Sequence, residues 1–288
     1  VPAEDFPELP SGIDGPEMGF AADSGGIGGS DFLRGMISKT AFAVSRDETR
    51  PVLTGVLWQV GDGRMTMVAT DGARLVRYSR AFPAAEGEAV QQDAIVPTRA
   101  LNHIVKLLSA GCRLETARFG QNHLQFDLVG DGEATPEDGE LSAGQIHLFS
   151  RLVEGPYVDY EQVIPKSNTK RLRLSLDSFS PAVRRVAILA SSQTRQIRLG
   201  LSENQVELTA SSQEIGGEAR ETIPADYSDE EMVIGYNSAY LIDILRRIDC
   251  DAVVFELDSA VTAGIIRPAE QPDGEDYLCL LMPLRLSE

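Results

Sequence analysis

Cysteine is scarce in this chain: Cys112, Cys250 and Cys279 are the only three in 288 residues. They lie far apart, are odd in number and form no C-x-x-C pair. That argues against a disulfide framework or a zinc site, and for thiols kept reduced. No apolar run approaches the roughly 18 residues needed to span a bilayer, so no membrane partner is expected. Val1-Pro2-Ala3-Glu4 shows neither the basic nor the apolar region of a secretory signal, and the missing initiator Met reads as a truncated or processed start. A cytoplasmic protein is the expectation. Positive charge is also short, with 26 Lys and Arg against 44 Asp and Glu and a net charge of −18. Bulk electrostatics therefore will not coat nucleic acid with this protein, although a local basic surface stays open.

Catalytic signatures are missing too. There is no G-x-S-x-G, H-E-x-x-H, Walker A or EF-hand spacing. The glycine-rich 24–29 stretch has no Gly-Lys-Ser/Thr and no preceding strand, so it reads as a linker. His103, His123 and His147 are scattered and read as structural or surface histidines. The abundant carboxylates offer no obvious acid/base pair. No catalytic residue, metal or cofactor is expected.

What is present is a faint internal repeat. Thr40-Ala41-Phe42-Ala43-Val44-Ser45 is echoed by Val186-Ala187-Ile188-Leu189-Ala190-Ser191 at an offset of 146 residues. Later matches, Ile95 with Ile234 and Cys112 with Cys250, keep offsets of 139 and 138. Two copies of one domain follow from this order. Each copy reads as helix, alternating strands, helix, strands, an α+β arrangement with two helices on one face of antiparallel sheets. The helices are expected over 31–45, 98–109, 178–191 and 237–248, with Ser30, Thr98, Asp177 and Asn237 as N-caps. The domain limits are set at 30–165 and 166–288, after a 1–29 remnant of a preceding domain plus linker. The acidic, Gly- and Pro-bearing 130–144 stretch reads as a solvated hairpin insertion.

Basic charge collects on those four helices. They hold Arg34, Lys39, Arg99, Lys106, Arg184, Arg185, Arg246 and Arg247 against only Asp31 and Asp243. Arg99, His103 and Lys106 recur at i, i+4 and i+7, on one helical face. Helices bearing this charge would meet phosphates without reading sequence. Few aromatics accompany them, so duplex is favoured over single strands.

The other notable stretch is apolar: Tyr277-Leu278-Cys279-Leu280-Leu281-Met282-Pro283-Leu284-Arg285-Leu286, with a proline where a central strand would need a donor. Together with Val68-Ala69-Thr70-Asp71-Gly72-Ala73-Arg74-Leu75, Leu152-Val153-Glu154-Gly155, Val163-Ile164-Pro165 and Leu201-Ser202-Glu203-Asn204-Gln205-Val206, it resembles the bacterial sliding-clamp family, the β subunits of DNA polymerase III. The motifs run along essentially the whole chain, and the resemblance is to the family's second and third domains.

The resemblance implies a noncatalytic processivity factor. Two chains would close head to tail into a homodimeric ring around duplex DNA, tethering the polymerase III α subunit. It implies DNA contacts from Arg46, Arg50 and Arg99, beside the helical basic residues. It also implies an apolar pocket for Leu/Phe-anchored peptides of the polymerase, the clamp loader and repair proteins. By position the pocket would use Leu53, Thr70, Gly72, Arg74, Leu75, Val158, Gln162, Val163, Asn237, Tyr240, Val261, Ala263 and Leu280, continuing through Leu281, Met282, Pro283, Leu284, Arg285 and Leu286. Gln162, Val158 and Thr194 depart from residues frequent in the family, which implies an altered peptide preference. Pro51 and Val52 replace aromatics at the DNA-approaching loop. An adaptor of the same fold that binds peptides without encircling DNA, and an uncharacterised hydrolase, are the rival readings.

Overall fold

The structure, a computed structural model, describes residues 12–20, 29–82, 91–130, 144–212 and 216–286. The 24–28 part of the glycine-rich linker and most of the 130–144 insertion lie outside these residues.

One element order occurs twice: strand, helix, four strands, helix, three strands. The first pass is β1 (Glu17–Gly19), α1 (Gly29–Thr40), β2 (Gly55–Gly61), β3 (Arg64–Thr70), β4 (Arg74–Ala81), β5 (Gln92–Pro97), α2 (Thr98–Ser109), β6 (Arg113–Phe119), β7 (His123–Val129) and β8 (Gln145–Arg151). The second is β9 (Lys170–Ser175), α3 (Leu176–Val186), β10 (Gln196–Ser202), β11 (Gln205–Ser212), β12 (Gly217–Pro224), β13 (Met232–Asn237), α4 (Ser238–Leu245), β14 (Ala252–Leu257), β15 (Gly264–Pro268) and β16 (Glu275–Leu281). The chain is thus α+β and duplicated, as the repeat predicts. β1, β5, β9 and β13 have no counterpart in the sequence reading. β5, β9 and β13 run straight into a helix with no intervening loop to mark the change of period.

α2 spans the expected 98–109, whereas α1, α3 and α4 are shorter than their hydrophobic periodicity suggests. α1 and α3 give way to 3-10 turns at Ala41–Ala43 and Ala187–Leu189. The expected caps hold in one case of four. Asn237 Oδ1 accepts from the backbone N–H of Ala239 at 2.9 Å and of Tyr240 at 3.4 Å, an N-cap of the kind that stabilises a helix by about 0.5–2 kcal/mol. Thr98 instead stands inside α2 and donates its hydroxyl to the Thr54 carbonyl at 2.6 Å. Asp177 lies in the first turn of α3, where a carboxylate favours the helix dipole. Ser30 is likewise inside α1 and accepts from the Leu114 N–H at 2.9 Å.

The chain forms two compact units. The first comprises Val1–Ala69 and Ser79–Tyr157, the second Thr70–Tyr78 and Val158–Glu288. In the first, β1-β6-β7-β8 form one antiparallel sheet, and β2 lies between β5 and β3. Trp58 on β2 sits edge-on to Phe119 of β6 and Phe126 of β7, with ring centroids 6.0 and 5.9 Å away, so apolar side chains of both sheets share one core. α1 and α2 pack together. Ala100, Leu101, Ile104 and Leu108 bury one face of α2 and leave Arg99, His103 and Lys106 exposed.

In the second unit β12-β11-β10-β13 form one sheet. β9, β14, β15 and β16 form another, joined by the 74–78 part of β4. Phe255 of β14 packs against Phe179 of α3 at 5.8 Å, and α3 packs on α4. An ion-pair ladder crosses the second sheet strand by strand. Arg77 meets Asp276, Asp276 meets Arg267 at 2.8 Å, Arg267 meets Glu256 at 3.7 Å, and Glu256 meets Arg171 at 4.0 Å. The second unit therefore takes in a strand segment encoded well inside the first copy.

Candidate functional site

Residues 70–74 form a tight turn whose chemistry is legible in its letters. Asp71 Oδ1 accepts from the N–H groups of Ala73 at 2.9 Å and Arg74 at 3.0 Å. Gly72 takes φ +93°, a conformation that favours glycine. The Thr70 hydroxyl donates to the Arg74 carbonyl at 2.7 Å and accepts from the Gly72 N–H at 3.1 Å.

This turn holds a buried cation. The Arg74 side chain is only 8% exposed. Its Nε donates to Asp71 Oδ2 at 3.1 Å and its Nη1 to Asp243 Oδ2 at 3.0 Å. Its guanidinium carbon lies 4.4 Å from the centre of the Tyr240 ring, within cation–π range. The Asn237 cap fixes the start of α4, and three residues later that helix delivers Tyr240, with Asp243 one turn further on. Sequence reasoning read Asp71-Gly72 as a turn but assigned no ion-pairing role to Asp71 or Asp243. The signal for Asp243 was available, since it is the only charged residue of α4.

The 282–286 stretch lies against the same elements. β16 ends at Leu281 rather than reaching Leu284 as its apolar run suggests, because Pro283 has no N–H to give. Beyond the strand, Met282 N–H donates to the Ala73 carbonyl at 2.9 Å, and Leu284 N–H to the Gly235 carbonyl at 2.8 Å. Gln196 Nε2 donates to the Arg285 carbonyl at 3.3 Å. Ala263 precedes Gly264, the residue paired with Leu281. Large apolar side chains stand in solvent in this unit: Val163 at 57% exposure, Val261 at 71%, Val158 and Met282 at 43% each. Gln162 is turned back onto Asp159, 2.6 Å away. Leu75 is buried, and Leu53 is buried in the 3-10 turn Pro51–Thr54 of the first unit.

The candidate DNA-binding residues divide into three groups. Arg34 pairs with Asp31 at 2.7 Å and Arg50 with Asp47 at 2.9 Å. Arg185 takes both oxygens of Glu221 on β12, at 3.0 and 2.5 Å. Hydrogen bonds from Thr49, with Arg50 beside them, hold the Asp47 carboxyl below its ordinary range, and the Arg185 bond does the same to Glu221. Arg46, Arg99, Lys106, Arg184 and Arg246 are exposed and make no ion pair among the described residues. Lys39 and Arg247 are half-buried. No group of three or more metal-ligating side chains occurs among the described residues.

Residues 29–159 match the model of the DNA polymerase III β subunit central domain, and 161–285 that of its C-terminal domain. The β sliding clamp of Caulobacter vibrioides is 32% identical over 292 residues, covering 99% of this chain and 70% of that protein. The chain belongs to the bacterial β sliding clamp family. The solved Pseudomonas aeruginosa β subunit superimposes with a TM-score of 0.83 at 28% identity, over 99% of this chain and 71% of its own. A second solved structure, of a Pseudomonas aeruginosa DNA polymerase III β subunit bound to griselimycin, gives 0.81 at 28% identity, over 99% and 70%. Sliding clamps are noncatalytic processivity factors of DNA replication. Membership in the family accounts for the duplicated domain and for the missing catalytic signatures, and makes this chain a DNA sliding clamp rather than a hydrolase.

Proposed function

We propose that this clamp tethers partner proteins through Leu/Phe-anchored peptides and rides duplex DNA on its exposed cations. The peptide site is the cleft bounded by Thr70, Gly72, Arg74 and Leu75, by Asn237 and Tyr240, and by the 280–286 stretch. Val158, Gln162, Val163, Val261 and Ala263 flank it, and Leu53 belongs to the same reading. One observation carries this proposal. Exposed apolar side chains and a buried, neutralised arginine occur in one compact unit, and the stretch with Met282 is joined to the arginine's turn by a backbone hydrogen bond. Such a surface gives an apolar anchor a dry seat without an unpaired charge. Burying an anchor contributes about 1.5–3 kcal/mol, so two or three anchors, less ordering costs, give affinity on the order of micromolar. The polymerase III α subunit, the clamp loader and repair proteins are the partners proposed.

For DNA, Arg46, Arg99, Lys106, Arg184 and Arg246 carry the phosphate attraction, with lesser shares for Lys39 and Arg247. Arg34, Arg50 and Arg185 are partly neutralised by their carboxylates. Loose, sequence-independent attraction is what sliding requires. Ring closure by two chains is supported by β12, which ends its sheet, and by Ile188 beside it at 74% exposure. We place the domains at 30–165 and 166–288, after the 1–29 segment, and the protein in the cytoplasm, where replication occurs. An anisotropy titration with a labelled Leu/Phe peptide tests the tether. Micromolar binding that disappears when Leu284 and Leu286 are both changed to Ser is expected, and absence of binding at millimolar protein would sink it.

A further inference from the structure

The 282–286 stretch has a dedicated seat, and its key residue is a glycine that the sequence gives no reason to notice. Gly235 lies in β13, paired with Arg198 of β10 on one side and bridged to Leu284 on the other. Its backbone is not in the left-handed region, so conformation does not demand glycine. Space does. A Cβ built there would lie 2.7 Å from Leu286 Cδ2, 3.0 Å from Gln196 Nε2 and 3.1 Å from the Leu284 carbonyl oxygen. Two of those three atoms belong to the 282–286 stretch, and the third belongs to the side chain that holds Arg285.

We infer that Gly235, with Gln196, is the positioning residue that seats the 282–286 wall of the peptide cleft. The inference rests on the peptide-binding reading above. At 235 a missing side chain leaves a notch into which Leu286 drops, while the Leu284 N–H bond and the Gln196 amide pin the stretch on either side of Arg285. The Leu284 bond also satisfies the outward Gly235 carbonyl, which as a sheet-edge group would otherwise be open to pairing with another chain. The wall is thus an added strand of minimal length. Its register is set by a backbone bridge, and its closeness by the absence of one methyl group. A larger residue would displace the Leu286 tip and the Gln196 amide and press the Leu284 carbonyl outward by a few tenths of an ångström, which loosens the wall on its seat.

The test compares full-length wild type, Gly235→Ala, Leu286→Ala and the double variant. Affinity for a fluorescein-labelled pentapeptide ending in Leu-Phe and the rate of carboxypeptidase trimming are the readouts. Gly235→Ala is expected to weaken the peptide about tenfold, as overpacking of a close contact does, and to speed trimming. The double variant is expected to be no weaker than Leu286→Ala, because a stretch already released has nothing left to lose. Wild-type affinity and trimming in Gly235→Ala would overturn the seat. So would fully additive losses in the double variant, which place the role of Gly235 in strand folding. If wild type itself fails to bind peptide, the cleft reading falls, while trimming still decides the seat.

Discussion

Arg74 is held by two carboxylates of unequal standing, and the inequality sets a ranking. Asp71 is 14% exposed and Asp243 40%. Changing Asp243 to Asn removes a charge that water already screens, so the cost discounts to about 1 kcal/mol or less. Arg74 keeps Asp71 and the Tyr240 face. Changing Asp71 to Asn is different, because an amide N–H₂ then faces the Arg74 Nε–H across 3.1 Å in a mostly dry setting. A buried cation losing its main partner costs about 3–5 kcal/mol when fully enclosed, and the partial exposure of Asp71 lowers that to about 2–3. Arg74→Lys belongs with the second case. A single ammonium cannot bridge both carboxylates and lie flat on Tyr240. Urea unfolding reads these costs as midpoint shifts at unchanged slope, and peptide anisotropy should rank the variants in the same order. Equal costs for Asp243→Asn and Asp71→Asn, or a neutral Arg74→Lys, would refute this account of the Arg74 site.

Three further outcomes are expected. Arg99→Ala and Lys106→Ala should each flatten the dependence of log affinity for duplex DNA on log salt by about 0.9 for every phosphate left without its cation; Arg185→Ala should leave the slope nearly as it was, since Glu221 already occupies that guanidinium. In the ladder, Asp276 touches both Arg77 and Arg267, so Asp276→Asn should cost more in thermal stability than Glu256→Gln, whose contacts are 3.7 and 4.0 Å; equal melting shifts would dissolve the ladder into independent pairs. For Asp127, burial works to raise the pKa, but hydrogen bonds from Gln125, His147 and Thr116 outweigh it and hold the carboxyl low. Its stabilisation is therefore present above the ordinary carboxylate pKa and lost as pH falls through the depressed folded value. Asp127→Asn should flatten that acid limb of the stability curve.

Legibility in the sequence tracked how local each signal was. The duplicated α+β plan was readable because helix periodicity and the echo at Ser45 and Ser191 are local patterns. Asn237 was readable as a cap for the same reason, and Asp71-Gly72 as a turn. Thr98 was misread because β5 enters α2 without a break, which leaves the hydroxyl facing Thr54 rather than the helix start. The proposed cleft residues were reached through family resemblance, since Arg74 meets the Tyr240 ring and Leu284 the Gly235 carbonyl only through tertiary contacts that no window of sequence contains. Asp243 and Gly235 were missed outright. The function of each lies in a partner about 170 and 50 positions distant, respectively, along the chain.

The strand segment Thr70–Tyr78, written in the first copy but folded into the second unit, has a consequence for dissection. A gene cut at the border between the two repeats would deliver a second half stripped of its arginine, its turn and the carbonyl that receives Met282. The second unit borrows its chain from both copies, so inheritance of the proposed cleft requires that they stay on one uninterrupted reading frame.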